Sequence, residues 1–169
     1  MPANPDFESL VHLYGGEIYA YLWRILRETR DAEDCLQETF LRAYRAYGRL
    51  PEDANCRAWL YKIASNMART YLRKMASSAA RTAPIDVETV PDSGSATNSL
   101  ERREALQAVG AAVMSLPWKQ RSALLMRKYQ GLSYGVIASA LDCSPEAARA
   151  DVYQALRKLR ARLSKEHEE

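Results

Sequence analysis

Apolar residues recur at three- and four-residue spacing along almost the whole of this chain, and the pattern lapses for long only between residues 75 and 99. That lapse constrains the fold more than any other feature, because it splits the periodic sequence into two blocks. It carries Pro84, Pro91 and Gly94 among many Ser, Ala and Thr residues, the composition of a flexible linker. Before it, helices are predicted over residues 7–26, 31–47 and 57–74. After it they are predicted over 100–115, 117–129, 133–141 and 145–163. A break is expected in the first near Gly15-Gly16, and the second stops before Gly48 with Pro51 beyond. No segment shows a convincing strand alternation. Two helical modules on a tether favour bivalent binding, since the tether raises the effective concentration of the second site.

Composition narrows the class. A chain of 169 residues with 47% apolar content holds one medium domain or two small ones. No apolar stretch approaches the roughly 20 residues of a membrane span. The segment Met1-Pro2-Ala3-Asn4-Pro5-Asp6 lacks the basic start and apolar run of a signal peptide. A cytoplasmic protein without a membrane segment of its own is expected. Cys35, Cys56 and Cys143 are distant and odd in number, so reduced thiols packed as small apolar groups are expected rather than disulfides or a zinc site. His12 and His167 sit in no triad or metal spacing, and no glycine-rich phosphate loop is present. No catalytic residue, metal or cofactor is therefore expected.

The net charge of +3 is too small to establish a polyanion partner, but its distribution says more. Residues 54–85 contain no Asp or Glu, yet hold Arg57, Lys62, Arg69, Arg73, Lys74 and Arg81. Just upstream, Glu28, Asp31, Glu33, Asp34 and Glu38 form an acidic cluster. Two surfaces with two different partners are expected.

On the predicted helix at 57–74, Lys62, Asn66, Arg69 and Arg73 fall within about 60° of one another. Leu60, Ile63, Ala64, Met67 and Tyr71 lie opposite, and Trp59 borders the polar stripe. Cations neutralise phosphates, an amide reads a base edge, and a flat aromatic stacks on an unpaired base. A solvated basic face is the plainer alternative, although solvated helices usually mix both signs. On the helix at 31–47, Leu36, Phe40, Ala43, Tyr44 and Tyr47 share a face expected to be core. Asp31, Asp34, Glu38, Leu41 and Arg45 lie across from it, with Asp31 as the expected N-cap. Capping plus solvation explains this ridge about as well as docking does.

In the second block, Ser133 is the expected cap of a short helix that buries Ile137 and Leu141, with Ala138 permitting close approach. Asp142-Cys143-Ser144-Pro145 makes a turn, and Pro145 suits a first helical position. Beyond it, Ala148, Val152, Leu156, Leu159 and Leu163 form an apolar stripe, while Arg149, Tyr153, Arg157 and Arg160 face outward. Short helix, tight turn and long basic helix make a helix-turn-helix pattern, although generic helical hairpins look similar. The predicted fold is all-α: two small helical domains joined by a flexible linker, spanning 1–75 and 100–169 with the linker at 76–99, the C-terminal one containing the helix-turn-helix.

Taken in order, these segments resemble an RNA polymerase sigma factor of the extracytoplasmic-function (ECF) type. Asp31-Ala32-Glu33-Asp34-Cys35-Leu36-Gln37-Glu38-Thr39-Phe40-Leu41-Arg42-Ala43-Tyr44 resembles the region that docks on core polymerase. Ala58-Trp59-Leu60-Tyr61-Lys62-Ile63-Ala64-Ser65-Asn66-Met67-Ala68 resembles the helix that captures the non-template strand of the minus-ten element. Leu116-Pro117, Gln120-Arg121, Gly131-Leu132-Ser133-Tyr134 and Ile137-Ala138 resemble the domain that reads the minus-thirty-five element. The resemblance implies minus-ten contacts from Asn55, Trp59, Lys62, Asn66, Arg69 and Arg73. It implies minus-thirty-five contacts from Ser144, Arg149, Tyr153, Gln154 and Arg157. Core polymerase would be held by Asp31, Asp34, Gln37, Glu38, Leu41 and Arg45. An anti-sigma factor is a further implied partner, beside promoter DNA. The chain departs from the family pattern at residues 50–56, at Gly135-Val136, and at Ala150, Asp151 and Gln154. A stand-alone helix-turn-helix regulator and a polymerase-binding regulator without initiation activity are the alternatives.

Overall fold

The computed structural model describes residues 4–77, 99–166 and 168. Helix α1 spans Phe7–Leu26, α2 Thr29–Tyr47, α3 Cys56–Ser77, α4 Ser99–Met114, α5 Trp118–Lys128, α6 Tyr134–Leu141 and α7 Pro145–Glu166. No strand occurs among the described residues, and none of their helices is long and apolar enough to cross a membrane. The all-α expectation holds. Most of the expected linker, residues 78–98, lies outside the described residues.

Local chemistry sets the helix ends. Asp6 caps α1 by accepting the Ser9 N–H at 2.8 Å, and Arg27 closes it in the left-handed region at φ 60°. No break occurs at Gly15-Gly16: α1 runs through both. Glycine costs a helix about 1 kcal/mol, but Leu10, Ile18, Tyr21, Leu22 and Ile25 bury one face along the whole length and outweigh it. Helix α2 begins two residues earlier than expected. Glu28, not Asp31, caps it by accepting the Asp31 N–H at 2.6 Å. Ser133 caps α6 as expected, and Pro145 opens α7.

Helices α1, α2 and α3 pack together as one module, and α5, α6 and α7 as a second, with α4 lying on α7. The modules are not held apart. Helix α3 packs on α6 and α1 on α5, so one apolar core runs from Ile18 and Leu60 through to Ile137 and Val152. Tyr44, expected in the core, is 67% exposed; its ring stands T-shaped to that of Phe7, with centroids 5.2 Å apart. Buried Thr39 takes the inward position instead, its hydroxyl satisfied by the Cys35 carbonyl at 2.6 Å.

Candidate nucleic-acid interfaces

Helix α3 presents its polar row as expected at three positions. Asn66, Arg69 and Arg73 are exposed, while Leu60, Ala64 and Ala68 on the reverse are buried. Lys62 stands apart. It is only half-exposed, and its Nζ donates to Asp142 Oδ1 at 2.8 Å. That aspartate closes α6 in the left-handed region, at φ 53°, in the turn before α7. The ridge is therefore not uniformly free: the second module holds one of its cations. Trp59 is half-buried and tilts against Tyr47, with ring centroids 6.5 Å apart. Asn55 is exposed, but its side-chain Oδ1 accepts the Ala58 N–H at 3.0 Å at the start of α3. Arg57 is turned away from the row and pairs with both carboxylate oxygens of Glu17 at 2.8 and 2.7 Å.

Helix α2 places Asp34, Gln37, Leu41 and Arg45 on an exposed face, with Glu38 beside them paired to Arg42. Leu41 is 50% exposed, an apolar side chain ringed by polar ones. Asp31 differs from the rest. It accepts the Tyr71 hydroxyl at 2.7 Å and is half-buried. Burial raises its carboxyl above the ordinary range, and neighbouring Glu28 and Asp34 add to this against the lowering by Tyr71. The Tyr71 hydroxyl is raised in turn, first by that hydrogen bond and then by burial.

Helix α7 keeps Arg149, Tyr153, Gln154 and Arg157 exposed, above a reverse face of Ala148, Val152 and Ala155. Ser144, expected to touch DNA, accepts the Ala147 N–H at 3.1 Å and so serves the helix start. Two side chains outside the expected set converge here. The Tyr134 ring lies 4.3 Å from the Arg127 guanidinium carbon and 5.0 Å from that of Arg149. These residues come from three different helices, so no periodic signal links them.

Between the modules lies a buried polar junction that the sequence did not announce. The Tyr21 hydroxyl stands 2.9 Å from Ser65 Oγ and donates to Ser122 Oγ at 3.4 Å, with all three residues buried. Gln130 donates to the Glu17 carbonyl at 2.7 Å and to the Tyr61 hydroxyl at 2.9 Å, and accepts from Arg24 at 3.0 Å. Burial pushes both phenols, Tyr21 and Tyr61, up to about 12, so both stay protonated at neutral pH. Burial likewise raises the thiols of Cys35, Cys56 and Cys143. Among the described residues no group of three or more His, Cys, Asp or Glu could hold a metal ion.

Comparison with known proteins places this geometry. Residues 10–78 match the Sigma-70 region 2 family, and residues 106–159 match the Sigma-70, region 4 family. Over 157 residues the chain is 31% identical to the RNA polymerase sigma-H factor of Pseudomonas aeruginosa, covering 88% of this chain and 81% of that one. Over 160 residues it is 31% identical to the ECF RNA polymerase sigma-E factor of Escherichia coli strain K12, covering 88% and 82%. Two solved structures share its fold. The sigma factor RpoE from Bartonella quintana, in complex with the anti-sigma factor NepR, gives a TM-score of 0.70 at 24% identity over 94% of this chain and 97% of that one. CnrH, in complex with the cytosolic domain of CnrY, gives 0.68 at 23% identity over 94% and 88%. With both family regions in chain order and relatives aligned over most of their length, the chain belongs to the ECF-type RNA polymerase sigma factors, the promoter-recognition subunits of RNA polymerase.

Proposed function

We propose that three helix faces divide the work of promoter recognition. The α3 face, through Asn66, Arg69, Arg73 and a released Lys62, with Asn55 and Trp59 at its start, binds the melted strand of the minus-ten element. The α7 face, through Arg149, Tyr153, Gln154 and Arg157 with Ser144 at its start, reads the minus-thirty-five element by phosphate and base-edge contacts. The α2 face, through Asp34, Gln37, Glu38, Leu41 and Arg45, docks on core polymerase, while Asp31 chiefly steadies α3 by holding Tyr71. The domains follow as 1–75 and 100–169 with a linker at 76–99. The protein contributes binding energy and no catalytic step; it needs no cofactor and works in the cytoplasm.

One observation carries this reading. Asn66, Arg69 and Arg73 stand exposed in a single row on a helix whose opposite face is buried, and α3 itself contains no acid. Extruding a base costs a few kcal/mol, which stacking on an aromatic and phosphate neutralisation can offset. The packed arrangement is the state before engagement: Lys62 reaches DNA only once Asp142 lets go. An anti-sigma partner that favours the packed state would keep the protein silent; the solved RpoE relative is in complex with an anti-sigma factor, NepR.

Reconstitution tests the assignment. The purified chain is added to core polymerase, and transcript starts are sequenced on genomic DNA. New starts sharing upstream and downstream motifs are expected. Duplex binding without polymerase dependence would instead indicate a stand-alone regulator. Polymerase binding without new starts would indicate a regulator that does not initiate.

A further inference from the structure

Recognition by α7 depends on where its first exposed arginine points, and the structure supplies a holder for it. Arg127, in the last turn of α5, donates through Nη1 to the Leu132 carbonyl at 3.0 Å. That bond fixes its guanidinium against the turn leading into α6. Tyr134, the first residue of α6, is half-buried and packs on the core. Its ring receives Arg127 at 4.3 Å and Arg149 at 5.0 Å. Two guanidinium groups thus gather at one aromatic ring, whose negative π-face attracts both. Arg149 is exposed, and among the described residues no carboxylate pairs with it. Stacking orients the guanidinium plane while leaving its N–H donors free for a phosphate or a guanine edge. Tyr153 and Arg157, further along the same face, make no such cation–π contact among the described residues.

We infer that Tyr134 is a positioning residue for the upstream promoter element, its ring presenting Arg149 to duplex DNA in a pre-set orientation. A side chain already held loses less freedom on binding, so the contact tightens and becomes more selective. This rests on the assignment of α7 to the minus-thirty-five element. It links the first helix of the helix-turn-helix to the reading helix through one ring.

The test uses wild-type holoenzyme to map a promoter, then compares that promoter with a copy whose upstream element is scrambled. Tyr134→Leu is expected to lower the preference for the intact element about three- to fivefold, the size of an exposed cation–π contact. Tyr134→Phe, which keeps the ring, should retain it. Because Tyr134 acts through Arg149, the Tyr134→Leu/Arg149→Ala double variant should be no worse than Arg149→Ala alone. Only Arg149→Ala should reduce the salt dependence of binding. Additive losses, or a normal Tyr134→Leu beside an impaired Arg149→Ala, overturn the inference and leave the α7 assignment standing. An unimpaired Arg149→Ala removes its part in that assignment, and the positioning role with it. Should Tyr134→Leu fold poorly, NMR of the arginine side chains in the wild-type protein decides. An Arg149 guanidinium more restricted and more ring-shifted than that of Arg157 supports the role, and equal mobility overturns it.

Discussion

Helices α3 and α7 carry similar cationic rows, yet they sit in opposite circumstances. On α7 the arginines face solvent, and the ring beside Arg149 leaves its donors free. On α3 the first cation of the row is tied to the other module through Asp142, and the neighbouring Tyr61 and Ser65 are buried in the junction. On the proposed division of work, the α7 surface is ready for duplex DNA as the protein stands, and the α3 surface only in part while Lys62 is held. A cationic stripe states what a helix can bind, and its tertiary neighbours decide when. The junction is mixed: hydrogen bonds among Tyr21, Ser65, Ser122, Gln130 and Tyr61 sit beside an apolar core that runs through both modules. Separation would let the polar groups regain partners in water, but it would also expose the apolar surface shared by α3 and α6.

The contrast breaks most readily at the exposed end of α3. Reversing Arg69 and Arg73 together to Glu should lower promoter melting by the holoenzyme by more than about tenfold, read by permanganate reactivity of the opened strand. Binding of upstream duplex by the free protein should barely change. Undiminished melting would remove α3 from the mechanism. Next in size, Leu41→Glu should weaken core-polymerase affinity about tenfold without lowering the melting temperature, since an apolar anchor lost at an interface costs binding rather than folding. An unchanged affinity would place the polymerase surface elsewhere.

Smaller effects sharpen the comparison. Asp142→Asn removes an ion pair whose side chains are 42% and 68% exposed, a pair worth about 0–1 kcal/mol. The free protein should then bind a minus-ten single strand up to about fivefold more tightly, because Lys62 is released. If the affinity does not move, the packed arrangement exerts no restraint through this pair. Asp151→Arg should tighten upstream duplex binding roughly threefold in low salt, a gain that fades as salt rises. Binding unchanged across that titration would show that Asp151 lies away from the phosphates.

The smallest effect is a pH dependence at Asp31. Burial raises its carboxyl in the folded state, so its contribution is fully present below the unfolded-state pKa and is lost as pH rises through the folded one. Asp31→Asn still accepts from Tyr71 but carries no charge. The variant should melt slightly higher than wild type at neutral pH, with the gap closing in acid. Core-polymerase affinity should remain unchanged, as expected of a residue that steadies the fold; a lower melting temperature at neutral pH would reverse this account.

Much of the fold was legible in the amino-acid order. All seven helices of the described residues start within about two residues of where periodicity and turn residues place them, and all but α3 and α7 also stop there. The Ser133 cap, the Pro145 start and the outward side of α7 were read correctly, because each depends on residues no more than one or two turns apart. The errors share another cause. Tyr44 lies on the apolar side of α2 by spacing, but the helix is only flanked, not covered, there. Gly15-Gly16 reads as a breaker locally, and buried residues on both sides override it. Glu28 displaced Asp31 as cap through a single acceptor position.

Short-range order therefore determined the helices, their caps, and which residues share a face, since those rest on backbone geometry repeating every few residues. Only the tertiary structure decided that Lys62 meets Asp142, that Tyr21 reaches Ser122, 101 residues away, and that Arg127 and Arg149 meet at one ring. Such meetings depend on how helices cross, and crossing angles arise from the fit of whole packed faces rather than from any local pattern.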